Sequence, residues 1–302
     1  MELRRSNVQE LKIILVLIAL VLRIFSNSLS NVYQKQLTLK GCNPYTINAV
    51  TYISLSLICL PFLKISGIAP VQSGFLYYSV IVGVLGALGN TFLIKALDGG
   101  ELSVLAPINS YKAVVGLLFA MIFLGEFPSL IAILGIAFVI LGSYFVLDTT
   151  KERFSLELLK NKNIQYRILA LVFCAAEAVF IKKVILLSTP WLAFVSWCYF
   201  GAIFSVVLLM IKRVKLEKSH LIIKSRNLIH YVNIVVCVGI MQFTTNYLFN
   251  KMNVAYALSL FQLSAMVSVV FGYKFFQEKH IRKKLMGAAI MIVGAVLIIV
   301  YN

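Results

Sequence analysis

Three ionisable side chains interrupt long apolar segments of this 302-residue sequence: Arg23, Lys112 and Glu177. A charged group at the centre of a membrane helix costs about 2.5–3.5 kcal/mol on insertion scales, and a side chain far from both helix ends cannot easily reach water. We therefore expect all three to face the interior of a helix bundle. Two cations and one anion can pair there, and one positive charge is left for an anionic group such as a carboxylate or a phosphate.

Two interpretations of these charges are open. Glu177 and one cation can simply hold two helices together, or the three side chains can line a cavity in which Glu177 also binds and releases a proton. Both interpretations require the charges to meet inside the bundle. The sequence by itself does not choose between them.

Polar side chains recur at helical spacing around these charges. Arg23, Asn27, Asn31 and Gln34 share one face of a helix because they are three or four residues apart. Amide side chains also join membrane helices by hydrogen bonds, but whole stripes favour a hydrated cavity. The candidate cavity residues are Arg23, Asn27, Asn31, Asn90, Lys112, Glu177, Gln242, Asn246 and Gln262.

The composition excludes an ordinary soluble domain, since 61% of the residues are hydrophobic and only 13% are charged. The net charge of +17 resides largely in loops between apolar segments, so it points to lipid headgroups and excludes nucleic acid as the expected partner. The five cysteines and three histidines form no metal-ligand spacing. We expect no metal, no cofactor and no catalytic residues, and thus a protein that is not an enzyme.

The apolar segments are long enough to be membrane helices, which need about 20 residues each. Lipid leaves helical bundles and closed barrels as the only spanning structures, and strand-like alternation is missing. Pro107 should disturb the first half of the fourth helix. The sequence thus predicts an all-α integral membrane protein with ten transmembrane helices, at about 12–35, 45–64, 74–96, 101–124, 129–148, 166–187, 190–211, 229–250, 254–276 and 282–301.

The second half of the chain repeats the first. Glu126, Gly135 and Gly142 have the same spacing as Glu278, Gly287 and Gly294. We expect the glycines to allow close helix packing, and each glutamate to favour the positive N-terminal end of the helix that follows it. Five helices form each unit, so the second unit should be inverted relative to the first, as in many secondary transporters. The predicted units are residues 1–148 and 166–302, joined by a basic linker at 149–165.

These features resemble the drug/metabolite transporter superfamily, and within it the EamA-like family. Gly125-Glu126 matches the Gly-Glu of that family fully, whereas Gln277 replaces the glycine before Glu278. The resemblance extends over about residues 12–301. It implies ten helices around a central cavity, and transport by alternating access without ATP. Members carry amino acids, sugars, nucleotide sugars, phosphorylated sugars or drugs, and the sequence does not choose among these.

The preferred hypothesis is a secondary transporter of a small polar or anionic metabolite in the cell membrane, coupled to protons or to an exchanged metabolite. The chief alternative is a membrane scaffold or accessory subunit that transports nothing, which would not need charges at the bilayer midplane. An intramembrane enzyme lacks a paired catalytic constellation, and a channel lacks a loop that resembles a selectivity filter. The sequence does not indicate an oligomeric state.

The basic residues also predict the orientation in the membrane. An even number of helices puts both termini on one side, where the basic residues are Arg4, Arg5, Lys12, Lys64 and Lys251. Eighteen basic residues lie on the opposite side. Basic loops stay in the cytoplasm, so the loop count places both termini outside, although the basic start of the first helix and the family resemblance favour cytoplasmic termini.

We predict non-cytoplasmic termini from this count. Alkaline phosphatase fused after Asn302 should be active, and a fluorescent protein at the same position should be dark. The reverse pair of results would mean that the first helix, rather than the loop charges, decides the orientation.

Overall fold

The computed structural model describes residues 2–66, 71–112, 114–115, 129–150, 157, 160–214, 225–252 and 254–301. Within these ranges the chain is helical apart from short connections, and it contains no strand. Its helices are α1 (Glu2–Leu39), α2 (Pro44–Ser66), α3 (Phe75–Leu97), α4 (Leu102–Leu105), a 3₁₀ turn (Pro107–Ser110), α5 (Leu130–Leu147), α6 (Lys162–Leu186), α7 (Pro190–Ile211), α8 (Ser225–Lys251), α9 (Val254–Phe261), α10 (Leu263–Phe276) and α11 (Ile281–Tyr301).

The helices have the length and surface of membrane spans. Six stretches among the described residues are long and apolar enough to cross a bilayer: Ile13–Leu39, Phe75–Leu97, Leu130–Leu147, Pro190–Ile211, Asn227–Lys251 and Ala257–Phe276. Large apolar side chains such as Leu76, Leu130 and Met210 are mostly exposed on them, as lipid-facing residues are. The protein is an all-helical, multi-pass membrane protein, and the count of ten spans stays a prediction.

Glycines bring α5 and α11 into backbone contact. A Cβ atom on Gly135 would lie 2.7 Å from the carbonyl oxygen of Gly294, and one on Gly142 would lie 2.6 Å from that of Gly287. The earlier glycine of each helix therefore meets the later glycine of the other, so the two helices cross antiparallel. An inverted repeat requires this arrangement, and it confirms the packing role expected for the four glycines.

Two helices are interrupted at equivalent points of the repeat. Pro107 has no backbone N–H, and the chain tightens there into the 3₁₀ turn, which confirms the expected disturbance. The predicted ninth helix is also not continuous, because the N–H of Gln262 bonds to Ser259 and separates α9 from α10. Ser110 and Gln262 lie the same number of residues before Gly135 and Gly287. Discontinuous helices of this kind border the binding sites of many transporters.

A buried ionic cluster joins the ends of α1, α4 and α11. Lys35 donates to Glu278 at 2.6 Å, with side-chain exposures of 7% and 5%. The Glu278 carboxylate also accepts the N–H groups of Leu102 and Ser103, each at 2.8 Å. Lys284 is buried beside them, where it pairs with Glu101 and donates to Ser103 Oγ at 2.8 Å.

Glu278 has the structural role expected of it, but on a different helix. It binds the N-terminus of α4 in the first repeat instead of α11, which follows it in the chain. The two free N–H groups of α4 point at its oxygens, and helix N-termini favour negative charge. Its counterpart Glu126 lies outside the described residues.

The pKa of Glu278 shows whether burial or the contacts of the carboxylate dominate. Burial by itself would raise that pKa, but the Lys35 ammonium and the hydrogen bonds from Ser103 outweigh burial and hold the pKa below its ordinary value. A depressed pKa in the folded protein adds stability above the ordinary pKa of glutamate, about 4.3. That stability is lost as the pH falls through the folded pKa.

We predict that Glu278→Gln and Lys35→Met each destabilise the protein by about 3–5 kcal/mol, since each leaves a buried charge without its partner. The double variant should lose less than the sum of the two. Thermal unfolding of the detergent-purified protein measures both effects, with Lys279→Met, an exposed neighbour, as the control. Single variants that unfold at the wild-type temperature would contradict this role.

Candidate functional site

A cavity lies at the middle of the bundle, between residues of both halves of the chain. Helices α1, α2 and α3 and the 3₁₀ turn contribute from the first half, and α6 to α10 contribute from the second. Its volume is about 150 Å³, smaller than the roughly 300–1,000 Å³ of pockets for drug-sized ligands. The cavity therefore suits a compact molecule of a few carbon atoms.

Most of the candidate residues lie in the cavity wall. Those that line it are Arg23, Asn27, Asn31, Asn90, Lys112, Glu177 and Gln242. Asn246 and Gln262 do not line it. Asn246 is fully buried. It accepts a hydrogen bond from Gln242 at 3.1 Å and donates one to the Pro190 carbonyl at 3.3 Å. Whether any of the nine residues binds substrate stays a prediction.

Gln262 instead connects the two interrupted helices. Its Oε1 accepts from Asn109 Nδ2 at 3.4 Å, and only 1% of Gln262 is exposed. Asn109 belongs to the 3₁₀ turn and lines the cavity. The irregular points of the two repeats thus meet at the cavity wall, where irregular backbone is tolerated in a membrane protein.

The polar face of α1 contacts four other helices, α3, α8, α9 and α10. Arg23 donates from Nε to Thr245 Oγ1 at 2.8 Å, and its guanidinium lies 4.3 Å from the centre of the Phe261 ring. Further along α1, Asn27 donates to Ser264 Oγ at 3.2 Å and Gln34 donates to Asn90 Oδ1 at 3.2 Å. These contacts leave Arg23 Nη1 buried with no protein partner among the described residues.

Glu177 is held by aromatic side chains. Trp197 Nε1 donates to its Oε1 at 2.6 Å, and the Tyr52 ring lies 4.6 Å from the Trp197 ring. Gly86 leaves room for this arrangement, since a Cβ atom there would lie 3.0 Å from Trp197 Nε1 and 3.1 Å from Glu177 Oε1. The carboxylate therefore has a defined position in the wall.

The expected ion pair between Glu177 and Lys112 or Arg23 is not a direct one. Among the described residues no cation lies within 4.0 Å of the Glu177 carboxylate. Trp197 occupies one carboxylate oxygen, and Lys112 interacts with Glu177 only through space. Lys112 follows the 3₁₀ turn, so the interrupted backbone places its ammonium at the cavity.

Arg167 is a third cation in the cavity and is not among the residues predicted from the sequence. We expected the sixth helix to begin near residue 166, so Arg167 counts there as a loop charge; in the structure Asn161 caps a helix that begins at Lys162. Arg167 Nε donates to the Leu105 carbonyl at 2.9 Å. Helical spacing is the signal that points to it, because Cys174 and Ala178, seven and eleven residues later, also line the cavity.

The loop-charge count changes with this correction. Arg167, Lys35 and Lys284 are all buried and do not belong to the basic loops. Fifteen basic residues still oppose five on the side of the termini, so the orientation prediction stands.

Asn48 is a second polar residue at the site that is not among those predicted from the sequence. It is fully buried, and its Nδ2 lies within 3.1 Å of acceptors on Ala87, Thr91 and Ser205. Its Oδ1 accepts from Asn90 at 2.6 Å. Asn48 thereby fixes the orientation of Asn90 in the cavity wall.

Chemically, the site can bind polar groups but holds no catalytic constellation among the described residues. Guanidinium, ammonium, amide and hydroxyl donors face the cavity, together with one carboxylate. No group of three potential metal ligands occurs in the described part of the chain.

Comparison with known proteins gives three results. No curated protein sequence matches the chain. Of 28 matching chains of solved structures, one, described only as a crystal structure of a protein, has a TM-score of 0.65 at 13% identity and covers 93% of this chain and 95% of its own, so the fold is shared. A family described as the EamA-like transporter family matches residues 13–148 and, again, residues 162–300.

Proposed function

The chain belongs to the EamA-like transporter family, within the drug/metabolite transporter superfamily, and from that membership we propose that it is a secondary transporter which moves a small polar metabolite by alternating access. No ATP is needed in this scheme. The proposal includes ten spans in two inverted five-helix units, at 1–148 and 166–302. At the coarser level, membership of a transporter family makes the protein a membrane transporter.

The cavity is the observation that carries the proposal. Charged and amide side chains in the interior of a membrane protein are costly unless they have a function or a partner. Arg23, Lys112 and Glu177 line one cavity, and no ion pair joins them among the described residues. A scaffold would require neither the cavity nor these charges.

Alternating access is supported by the way the two units meet. The cavity lies between the interrupted helices of both units, and the α5–α11 crossing is antiparallel. The Lys35–Glu278 cluster ties the ends of α1, α4 and α11 together at one end of the bundle. In this proposal that cluster holds one end of the cavity closed and separates during the transport cycle.

We predict that Lys112→Ala and Glu177→Gln abolish transport while the amount of protein in the membrane stays near normal. The reason is that both side chains would contact or balance the charge of the substrate. A thermal-shift screen of purified protein against amino acids, sugars, phosphorylated sugars and nucleotides would first identify a ligand. Uptake of that ligand into proteoliposomes then measures transport.

The matched control is Lys274→Ala, which removes an exposed lysine of α10 away from the cavity. It should transport as the wild type does. Normal transport by both cavity variants would contradict the proposal that the cavity binds the substrate. Loss of both variants from the membrane would favour a purely structural role and, with it, a scaffold.

The driving force is proposed to be a proton gradient or an exchanged metabolite, with Glu177 as the proton carrier in the first case. Uptake that responds to an imposed pH gradient in the wild type but not in Glu177→Gln would support proton coupling. Uptake that instead requires substrate inside the vesicles would support exchange. The cell membrane is the proposed location.

A further inference from the structure

The charges of the cavity point to the class of substrate, and this inference rests on the proposed function. Among the described residues that line the cavity, Arg23, Lys112 and Arg167 are cations and Glu177 is the one acid. The described part of the wall therefore carries two positive charges in excess. Uncompensated charge inside a membrane is unfavourable, so a ligand with two negative charges fits the cavity better than a neutral or zwitterionic ligand.

Both guanidinium groups are oriented for such a ligand. Arg23 is anchored through Nε to Thr245 Oγ1 at 2.8 Å, and Arg167 is anchored through Nε to the Leu105 carbonyl at 2.9 Å. In each case Nε makes the hydrogen bond, and the two terminal nitrogens make none to the described residues. A planar guanidinium presents these N–H groups as a fork that matches a carboxylate or a phosphate.

The remaining N–H groups of these cations lack hydrogen-bond partners among the described residues. Arg23 Nη1 has no hydrogen-bond partner among the described residues although it is buried. Arg167 has no further hydrogen bond, and Lys112 has none, within the described part of the chain. Lys112 interacts electrostatically with both arginines. Lys112 is thus repelled by both arginines, and an anion between Lys112 and the arginines would relieve that repulsion.

Glu177 limits what else the ligand can carry. Trp197 fixes the carboxylate through one oxygen, so Glu177 repels the anionic part of a ligand and accepts a hydrogen bond from a hydroxyl group. The volume of about 150 Å³ suits a small ligand better than a nucleotide or another large phosphate. We infer that the transported substrate is a small organic dianion of a few carbon atoms, either a phosphate monoester or a dicarboxylate, held between the guanidinium groups of Arg23 and Arg167.

Binding to the full-length, detergent-purified protein tests this inference with two matched pairs of probes. Glycerol 3-phosphate is compared with glycerol, and succinate is compared with its monomethyl ester. The first partner lacks the phosphate group and the second lacks one carboxylate charge, so each comparison removes negative charge from the same carbon skeleton. We expect at least one dianion to raise the unfolding temperature and to bind at least about tenfold more tightly than its partner. The pair that responds distinguishes a phosphate substrate from a dicarboxylate substrate.

Substitutions of the two cavity arginines test where the dianion binds. Arg167→Gln and Arg23→Gln should each weaken binding of the responding dianion by about tenfold or more, since each removes a charged fork. Arg167→Lys keeps the charge without the fork and should weaken binding by an intermediate factor. Arg213→Gln, which removes an exposed loop arginine, should bind as the wild type does. If one cavity variant fails to fold, the other arginine supplies the test.

Two outcomes separate this inference from the proposed function. Equal binding of the dianion and its partner in each pair, or equal binding by Arg167→Gln and Arg213→Gln, overturns the dianion site even if another metabolite is transported. Tight binding of a dianion that is lost in the cavity variants supports the site. The same result without flux into proteoliposomes leaves the site standing and overturns transport.

Discussion

The structure depends on the cost of placing charge in a membrane. An ionised group away from the bilayer surface needs compensation by another helix or by a ligand, because neither lipid nor distant water can supply it. Lys35 is compensated by Glu278, and Arg23 is partly compensated by Thr245 and the ring of Phe261. These contacts join residues more than two hundred positions apart in the chain. They therefore tie the first half of the molecule to the second, and they place α1 between α8 and α10.

The same constraint acts on the backbone. Where a helix is interrupted, its free carbonyl and N–H groups need partners inside the protein. The carbonyl of Leu105 before the 3₁₀ turn receives Arg167 Nε, and the first N–H groups of α4 receive the Glu278 carboxylate. Each of these buried charges thus satisfies a backbone group that the interruption of the helix leaves free. The interrupted segment brings Lys112 to the cavity, and the charges that satisfy its backbone come from the other half of the chain.

Much of the fold follows from the sequence because the governing quantities are local. The length and apolarity of most segments predict helices that agree with the observed ones within a few residues, although α1 begins at Glu2 and the predicted fourth and ninth helices are interrupted. Pro107 predicts the first of these breaks since it lacks an N–H. The glycine spacing predicts a close helix pair, and the α5–α11 crossing is such a pair. Midplane charges in the sequence also indicate an internal cavity, because a charge facing lipid is too costly at any point of the fold.

What the sequence by itself determined, then, is the class of the protein, its helices, its repeat and the presence of charges that must face inward. Only the tertiary structure decided which groups meet. Glu278 binds α4 rather than α11. Glu177 accepts a hydrogen bond from Trp197 instead of pairing directly with a cation. The predicted ninth helix is interrupted at Gln262 although no proline occurs there. Arg167 is likewise a cavity residue only because α6 begins earlier than its apolar segment does. Each of these outcomes depends on partners distant in sequence, and the free energy of such a contact is set by the packing of other helices, which helical spacing does not encode.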